Sequence, residues 1–302
     1  MEESGNGGIE ESIPPFLNSS VPQIMNKLNA WAGLLARYLR YYFRAGTKYG
    51  VHSPFVADWV ANVLEDTRDY YAFFSIEGLR QTLSRSGRRL AGNPGGAGYF
   101  SAPAGGPSLS YLANRVAVPP YVGQWLFKTA LWAKPKSMLE LGSSLGISTL
   151  YLGAAAPRAQ FLSVEGWREA AELAAAHCHE AGLANIRIVH GNFGEALPQL
   201  LPHLAPLDLI YIDGDHNGFR TLEYVEQCLP HLAPDGVIVL GDIYWSADMA
   251  EAWKTLRQHP AFRVSIDVFH LGLLFPRAEQ KEKEHFTLIR ARRKFWRVGI
   301  WG

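Results

Sequence analysis

From residue 121 onward, short apolar runs alternate with amphipathic stretches, and this alternation restricts the possible folds more than any other feature of the chain. The runs fall at 137–141, 160–165, 185–190, 208–213 and 236–241, and helical spacing of apolar residues fills the gaps, as at 168–181 and 221–229. Strands joined by helical crossovers pair in parallel, and the helices then cover both faces of the sheet. Three more runs, 262–269, 271–275 and 285–289, follow without helices between them. They predict an antiparallel edge on an otherwise parallel sheet. The fold class is therefore α/β, doubly wound and mostly parallel.

The chain upstream reads differently. Residues 1–22, rich in Gly, Ser, Glu and Pro, are expected to be disordered. Residues 23–118 read as a helical extension followed by a Gly/Pro-rich loop. Leu34, Leu35 and Tyr38 fall at helical spacing within 22–44, Ser53 and Pro54 suit the start of a second helix, and a third is expected over 70–84. The stretch 91–110 is long enough for a linker or a mobile lid. The αβ domain spans 119–290, and 291–302 form a basic, aromatic tail.

Composition excludes several function classes. With 29 Lys+Arg against 28 Asp+Glu the net charge is +1, so no global field draws in nucleic acid, and a nucleic-acid partner is not expected. Two cysteines exclude a disulfide scaffold. No basic region followed by an apolar run opens the chain, and no stretch approaches the ~20 apolar residues of a membrane span. A cytoplasmic location is expected, and the helical extension offers a surface for a homodimer.

The tract Met138-Leu-Glu-Leu-Gly142-Ser-Ser-Leu-Gly146 takes an apolar strand through a glycine-bounded turn into a helix. Glycine permits the tight turn and a close ligand approach. An ordinary strand-to-helix turn would look the same, but two more strand ends point to the same place. Glu165 follows about 20 residues on, where an acid can hold ribose hydroxyls. Asn192 and Phe193 follow the third strand, placed to frame an adenine. The three glycines of a dinucleotide fingerprint are missing, which argues against, without excluding, an NAD-dependent oxidoreductase.

The stretch resembles the first motif of the class I S-adenosylmethionine-dependent methyltransferases. VEGW at 164–167, HGNF at 190–193, DLIYIDGDH at 208–216 and VIVLGDIYW at 237–245 extend the likeness over about residues 120–290. Within that superfamily the chain is similar to the catechol and caffeoyl-CoA O-methyltransferase type. A bacterial subgroup sharing a tract like YGVHSPF (49–55) is nearest. The resemblance implies a seven-stranded sheet, S-adenosylmethionine as cofactor and a small-molecule methyl acceptor. It also implies a cofactor site of Glu140, Gly142, Ser143, Ser144, Gly146, Glu165, Gly166, Trp167, Asn192, Phe193 and Asp213. Ser144 stands where a strict motif has its middle glycine.

Asp213, His216 and Asp242 are the candidate catalytic residues, and His216 suits a general base because its ordinary pKa is ~6.5. Relatives that use a metal place aspartates where Asp213 and Asp242 stand, followed by an asparagine where this chain has Ile243. A Mg²⁺ or Ca²⁺ site on Asp213 and Asp242, with Asp215 or His216 completing it, is one reading; strand-end turns capped by the two carboxylates are the other. A cofactor-binding module without catalysis remains the rival from outside enzymology. Tyr244 and Trp245 could wall a flat substrate or fill the core, and His52 could reach the site or cap a helix. His177, Cys178 and His179 look like metal ligands but lie consecutively in a predicted helix and cannot share a face. Residues 290–297 could meet a membrane or nucleic acid, though a solvated tail is favoured.

Overall fold

The computed structural model describes residues 21–91, 106–204 and 206–294, with the side chains described from residue 29. The expected disorder of 1–22, most of the loop at 91–110 and most of the terminal tail fall outside those residues. Eight strands form one sheet in the order β3-β2-β1-β4-β5-β7-β6-β8. They are β1 (Ser137–Leu141), β2 (Gln160–Glu165), β3 (Ile186–His190), β4 (Leu207–Ile212), β5 (Leu232–Gly241), β6 (Val264–Asp267), β7 (Leu271–Phe275) and β8 (Glu284–Thr287). β7 alone runs against its neighbours, between β5 and β6, and β8 then adds in parallel to β6. The sheet thus has eight strands, one more than the seven the resemblance implied.

The period-2 alternation of each strand sorts its side chains to two faces. Met138, Phe161, Leu209, Tyr211, Val237 and Val239 face α5 (Pro120–Ala133) and α6 (Ile147–Ala155). Leu139, Leu162, Ile210, Ile238 and Leu274 face α8 (Phe193–Leu200), α9 (Gly218–Cys228) and α10 (Ala247–Gln258). α7 (Arg168–Glu180) packs on β3. It holds His177, whose Nδ1 lies 2.9 Å from the Leu145 carbonyl oxygen, and a buried Cys178. The His-Cys-His run is therefore structural.

The helical extension shares this core. α1 (Val21–Arg44), α2 (Pro54–Trp59) and α3 (Tyr71–Ser84) begin within a residue of the expected starts. Ser53 occupies the N-cap of α2 but its side chain makes no capping bond. Val56, Trp59, Phe73 and Ile76 pack in one cluster with Trp125 and the first sheet face. His52 is exposed and stands away from the cavity described below. After residue 91 the chain returns to a one-turn helix, α4 (Leu109–Tyr111), capped by Ser108. The two ends of that excursion are tied by Leu90 N–H to Pro107 O and Leu109 N–H to Arg88 O.

α1 crosses the carboxyl ends of the strands. Arg37 donates to the carbonyls of Tyr244 (2.8 Å) and Trp245 (3.0 Å). Tyr41 donates to Leu288 O at 2.5 Å, and Gly46 pairs with Leu288 beyond the end of β8.

Glu140 is a correction to the expected site. Its parity on β1 sends it inward, fully buried, where it receives hydroxyls from Ser148 (2.7 Å), Thr149 (2.6 Å) and Ser163 (2.7 Å). It braces the glycine turn from below. Burial raises its pKa to about 7 despite the three hydroxyl donors. The folded state therefore holds this proton more tightly than the unfolded chain, and the stability linked to it is present at acid pH and lost as pH rises through about 7. Thermal melting should fall from pH 5 to pH 8, and Glu140→Gln should flatten that slope; equal slopes would refute the assignment.

Candidate active site

The ends of β1, β4 and β5 meet around one carboxylate. Gly142 follows β1 with φ +99°, and a Cβ there would stand 2.7 Å from the Asp213 carbonyl oxygen. A Cβ on Gly241 would stand 2.0 Å from Asp213 Oδ1, and one on Gly214 2.3 Å from the Phe193 ring. Gly142 and Gly241 thus allow the strand ends to close on Asp213, and Gly214 lets the Phe193 ring approach. Gly146 serves differently: at φ +81° its missing Cβ lets α6 approach Ala174 of α7. Its role is helix packing, and the implied ligand contact is not needed to account for it.

Five of the seven non-glycine residues with left-handed backbone, among those described, belong to this region: Ser144, Asp215, His216, Asp242 and Phe269. Such conformations cost of order 1–3 kcal/mol each and concentrate where function requires them.

On one side of Asp213 lies the turn between β1 and α6. Glu165 accepts from Ser144 N–H at 2.7 Å and from Trp167 N–H at 2.9 Å, fixing the turn to the end of β2. Burial raises its pKa, against the pull of those amides. The Gly166 amide also faces this carboxylate. Trp167 is buried and donates to Ala91 O at 2.9 Å, while Gly166 has open space where a side chain would start. Asn192 caps α8 through Gly194 N–H, and Phe193 packs edge-on against Tyr224. The Ser143 hydroxyl is buried and has no hydrogen-bond partner among the described residues. A polar ligand reaching this turn would satisfy it, so these residues fit a nucleoside-bearing cofactor.

On the other side a cavity of about 400 Å³ opens onto Asp213 and Asp242. Tyr244, Trp245 and Phe269 wall it from the sheet side, Leu34 of α1 from above, and the segment 113–120 from the flank. Tyr244 stacks on Phe269 at 5.3 Å and donates to the buried Asp267 at 2.6 Å. Tyr244 and Trp245 therefore do form an aromatic wall. Arg80 donates to Val118 O at 2.7 Å and holds the flanking segment.

The titratable groups are uneven. Burial pushes Asp213 up to about 6; His216 opposes this, and Asp242 adds to it. Asp242 sits below the usual carboxylate range, because His270, 3.5 Å away, and His216 outweigh its burial. Asp213 also accepts from Tyr211 at 2.8 Å. His216 lies against Trp245, with ring centroids 5.8 Å apart. Asp213, His216 and Asp242 each offer a ligand atom, all within 4.8 Å of one another. Asp215 turns away to Tyr224 (2.5 Å) and Arg220 (3.2 Å), and Ile243 is buried in the core, so neither joins them. His270, Tyr211 and Phe269 were not anticipated from the sequence.

Residues 139–243 match the family model of a methyltransferase domain. The chain is 31% identical over 131 residues to the catechol O-methyltransferase of Niastella koreensis, covering 42% of this chain and 58% of that protein. To the tRNA (guanine-N(7)-)-methyltransferase of Sodalis glossinidius it is 29% identical over 142 residues, covering 46% of this chain and 58% of the relative. The chain thus spans less than two thirds of either relative. Its fold matches the O-methyltransferase TomG of Streptomyces achromogenes, solved with S-adenosylmethionine, at a TM-score of 0.51 and 18% identity over 72% of this chain and 92% of the other. The unequal glycine roles have a direct test. Gly142→Ala, which is strained by its φ and by the Asp213 backbone, should lower stability by about 2 kcal/mol or more in chemical denaturation. A loss under about 0.5 kcal/mol, the range of ordinary surface substitutions, would contradict the crowding.

Proposed function

We propose that the protein transfers a methyl group from S-adenosylmethionine to an oxygen of a small, flat acceptor held in the cavity. One observation carries this reading: Asp213 stands at the boundary between the Gly142–Ser144 turn and the aromatic-walled cavity, so a cofactor on one side and an acceptor on the other would meet there. A volume near 400 Å³ suits a single ring system. A tRNA acceptor is disfavoured by the near-neutral charge of the chain, since phosphate binding normally requires a basic surface.

When bound, the cofactor supplies an electrophilic methyl group on a sulfonium. Ser143 and Ser144 would hold its amino-acid end, Glu165 its ribose, and Trp167, Asn192 and Phe193 its adenine. The walls formed by Tyr244, Trp245 and Phe269 orient the acceptor and exclude water, and alignment of this kind is worth ~7–11 kcal/mol. A phenolic acceptor of pKa ~10 must also lose its proton, at a cost of roughly 4 kcal/mol near pH 7. His216 would receive it, and Asp242, held ionised beside His270 and His216, would balance the imidazolium that forms.

A second reading of the same groups is favoured by the clustering of Asp213, His216 and Asp242. Two carboxylates and an imidazole form a donor set that fits a divalent cation. Such an ion would lower the pKa of an acceptor hydroxyl.

Calorimetry with S-adenosylmethionine should show saturable binding near one site per chain, with no binding of NAD; the reverse pattern would overturn the proposal. Loss of turnover in EDTA, restored by a divalent metal, would establish the metal reading. Asp242→Asn should lower kcat by ~10²–10⁴-fold with cofactor affinity kept. Near-normal turnover of His216→Ala would remove His216 as the base.

A further inference from the structure

α1 has two apolar faces, and among the described residues only one is covered. Leu34, Tyr38 and Tyr41 pack on Phe269, Tyr244 and Ile289. On the outer side Trp31, Leu35, Leu39 and Phe43 are 65%, 58%, 44% and 68% exposed. They recur every four residues, so they run along one side of the helix, with Ala32 and Ala36 beside them. The sequence of α1, VPQIMNKLNAWAGLLARYLRYYFR, contains no acidic residue and four basic ones: Lys27, Arg37, Arg40 and Arg44. Arg40 and Arg44 are exposed at the margin of the stripe. Among the described residues neither forms an ion pair. Tyr42 donates to Arg293 O at 3.0 Å, which brings the exposed Arg292 to the same end of the helix.

We propose that this outer face of α1 docks on an anionic lipid surface, with the helix lying in the plane of the interface. The charge pattern selects this occupant over a second copy of the chain. An antiparallel pair of α1 helices would set Arg40 and Arg44 of each copy against a helix that carries no carboxylate. Lipid phosphates supply the missing counter-charge. An apolar stripe containing tryptophan and phenylalanine, bordered by arginine, is the pattern of a helix that rests at the headgroup boundary. Among the described residues no helix is long and apolar enough to cross a membrane, so the contact is peripheral. The four large residues span three helical turns or more, about 18 Å of continuous apolar edge.

The test is co-sedimentation of the full chain with vesicles of phosphatidylcholine alone and with added phosphatidylglycerol, at low and high salt. The protein should pellet with the anionic vesicles, remain in solution with phosphatidylcholine alone, and be released by salt. Leu35→Asp should abolish pelleting with melting temperature and cofactor affinity unchanged. Arg40→Ala and Arg44→Ala should each weaken partition about fivefold. The proposal is overturned if the protein ignores anionic vesicles, or if Leu35→Asp pellets as the parent does. It is equally overturned if sedimentation velocity shows a dimer that Leu35→Asp dissociates in the absence of vesicle binding, which would assign the face to a second copy. Because vesicle partition is measured without turnover, its failure is distinct from failure of the methyl-transfer reading.

Discussion

The burial of one carboxylate underlies the geometry of the site. Glu140 has no contact with solvent and is tolerated only because three hydroxyls converge on it, two from the first turn of α6 and one from β2. Those bonds cross from β1 to the next strand and the following helix. They fix the turn between β1 and α6, and with it the position of Ser143 and Ser144. Glu165 repeats the device at the surface of the same turn, collecting backbone amides in place of hydroxyls. The turn is thus framed by two acids with different work: the inner one secures it through hydroxyls and the outer one gathers its amides.

The second organising constraint is steric. Parallel strands deliver their carboxyl ends to one edge, but side chains there would keep the ends apart. Gly142 and Gly241 remove that obstacle, and Asp213 occupies the space between them. Left-handed backbone at Ser144, His216 and Asp242 then turns the following residues across the edge instead of onward along the strands. The helical extension completes the enclosure, since Leu34 and the segment 113–120 supply walls that the sheet itself cannot.

Much of this was legible in the sequence because it is local. Strand positions follow from apolar runs, and β1, β2 and the candidate residues Asp213 and Asp242 lie where the pattern put them. What was not legible depends on pairing between distant segments. His270 meets Asp242 only because β7 inserts beside β5, a neighbour that sequence order does not announce. β8 was expected in an antiparallel edge but joins β6 in parallel. Glu140 entered the expected site through the family resemblance. Its parity with Met138, together with the hydroxyls at Ser148, Thr149 and Ser163, would have pointed inward. β5 begins at Leu232, before the Pro-Asp-Gly tract that reads as a boundary, because an irregular register opposite β4 absorbs the turn.

The anchoring of α1 has a consequence for how the chain is made. Its partners Tyr244 and Leu288 lie 207 and 247 residues after the arginine and tyrosine that bind them. At ~5–20 residues per second, a ribosome needs on the order of ten seconds to a minute to deliver them. Throughout that interval the amphipathic helix exists without its seat, and both of its apolar sides face the cell. Closure of the cavity roof is therefore among the last events of biogenesis, and the nascent chain offers α1 to chaperones or surfaces before the sheet beneath it is complete.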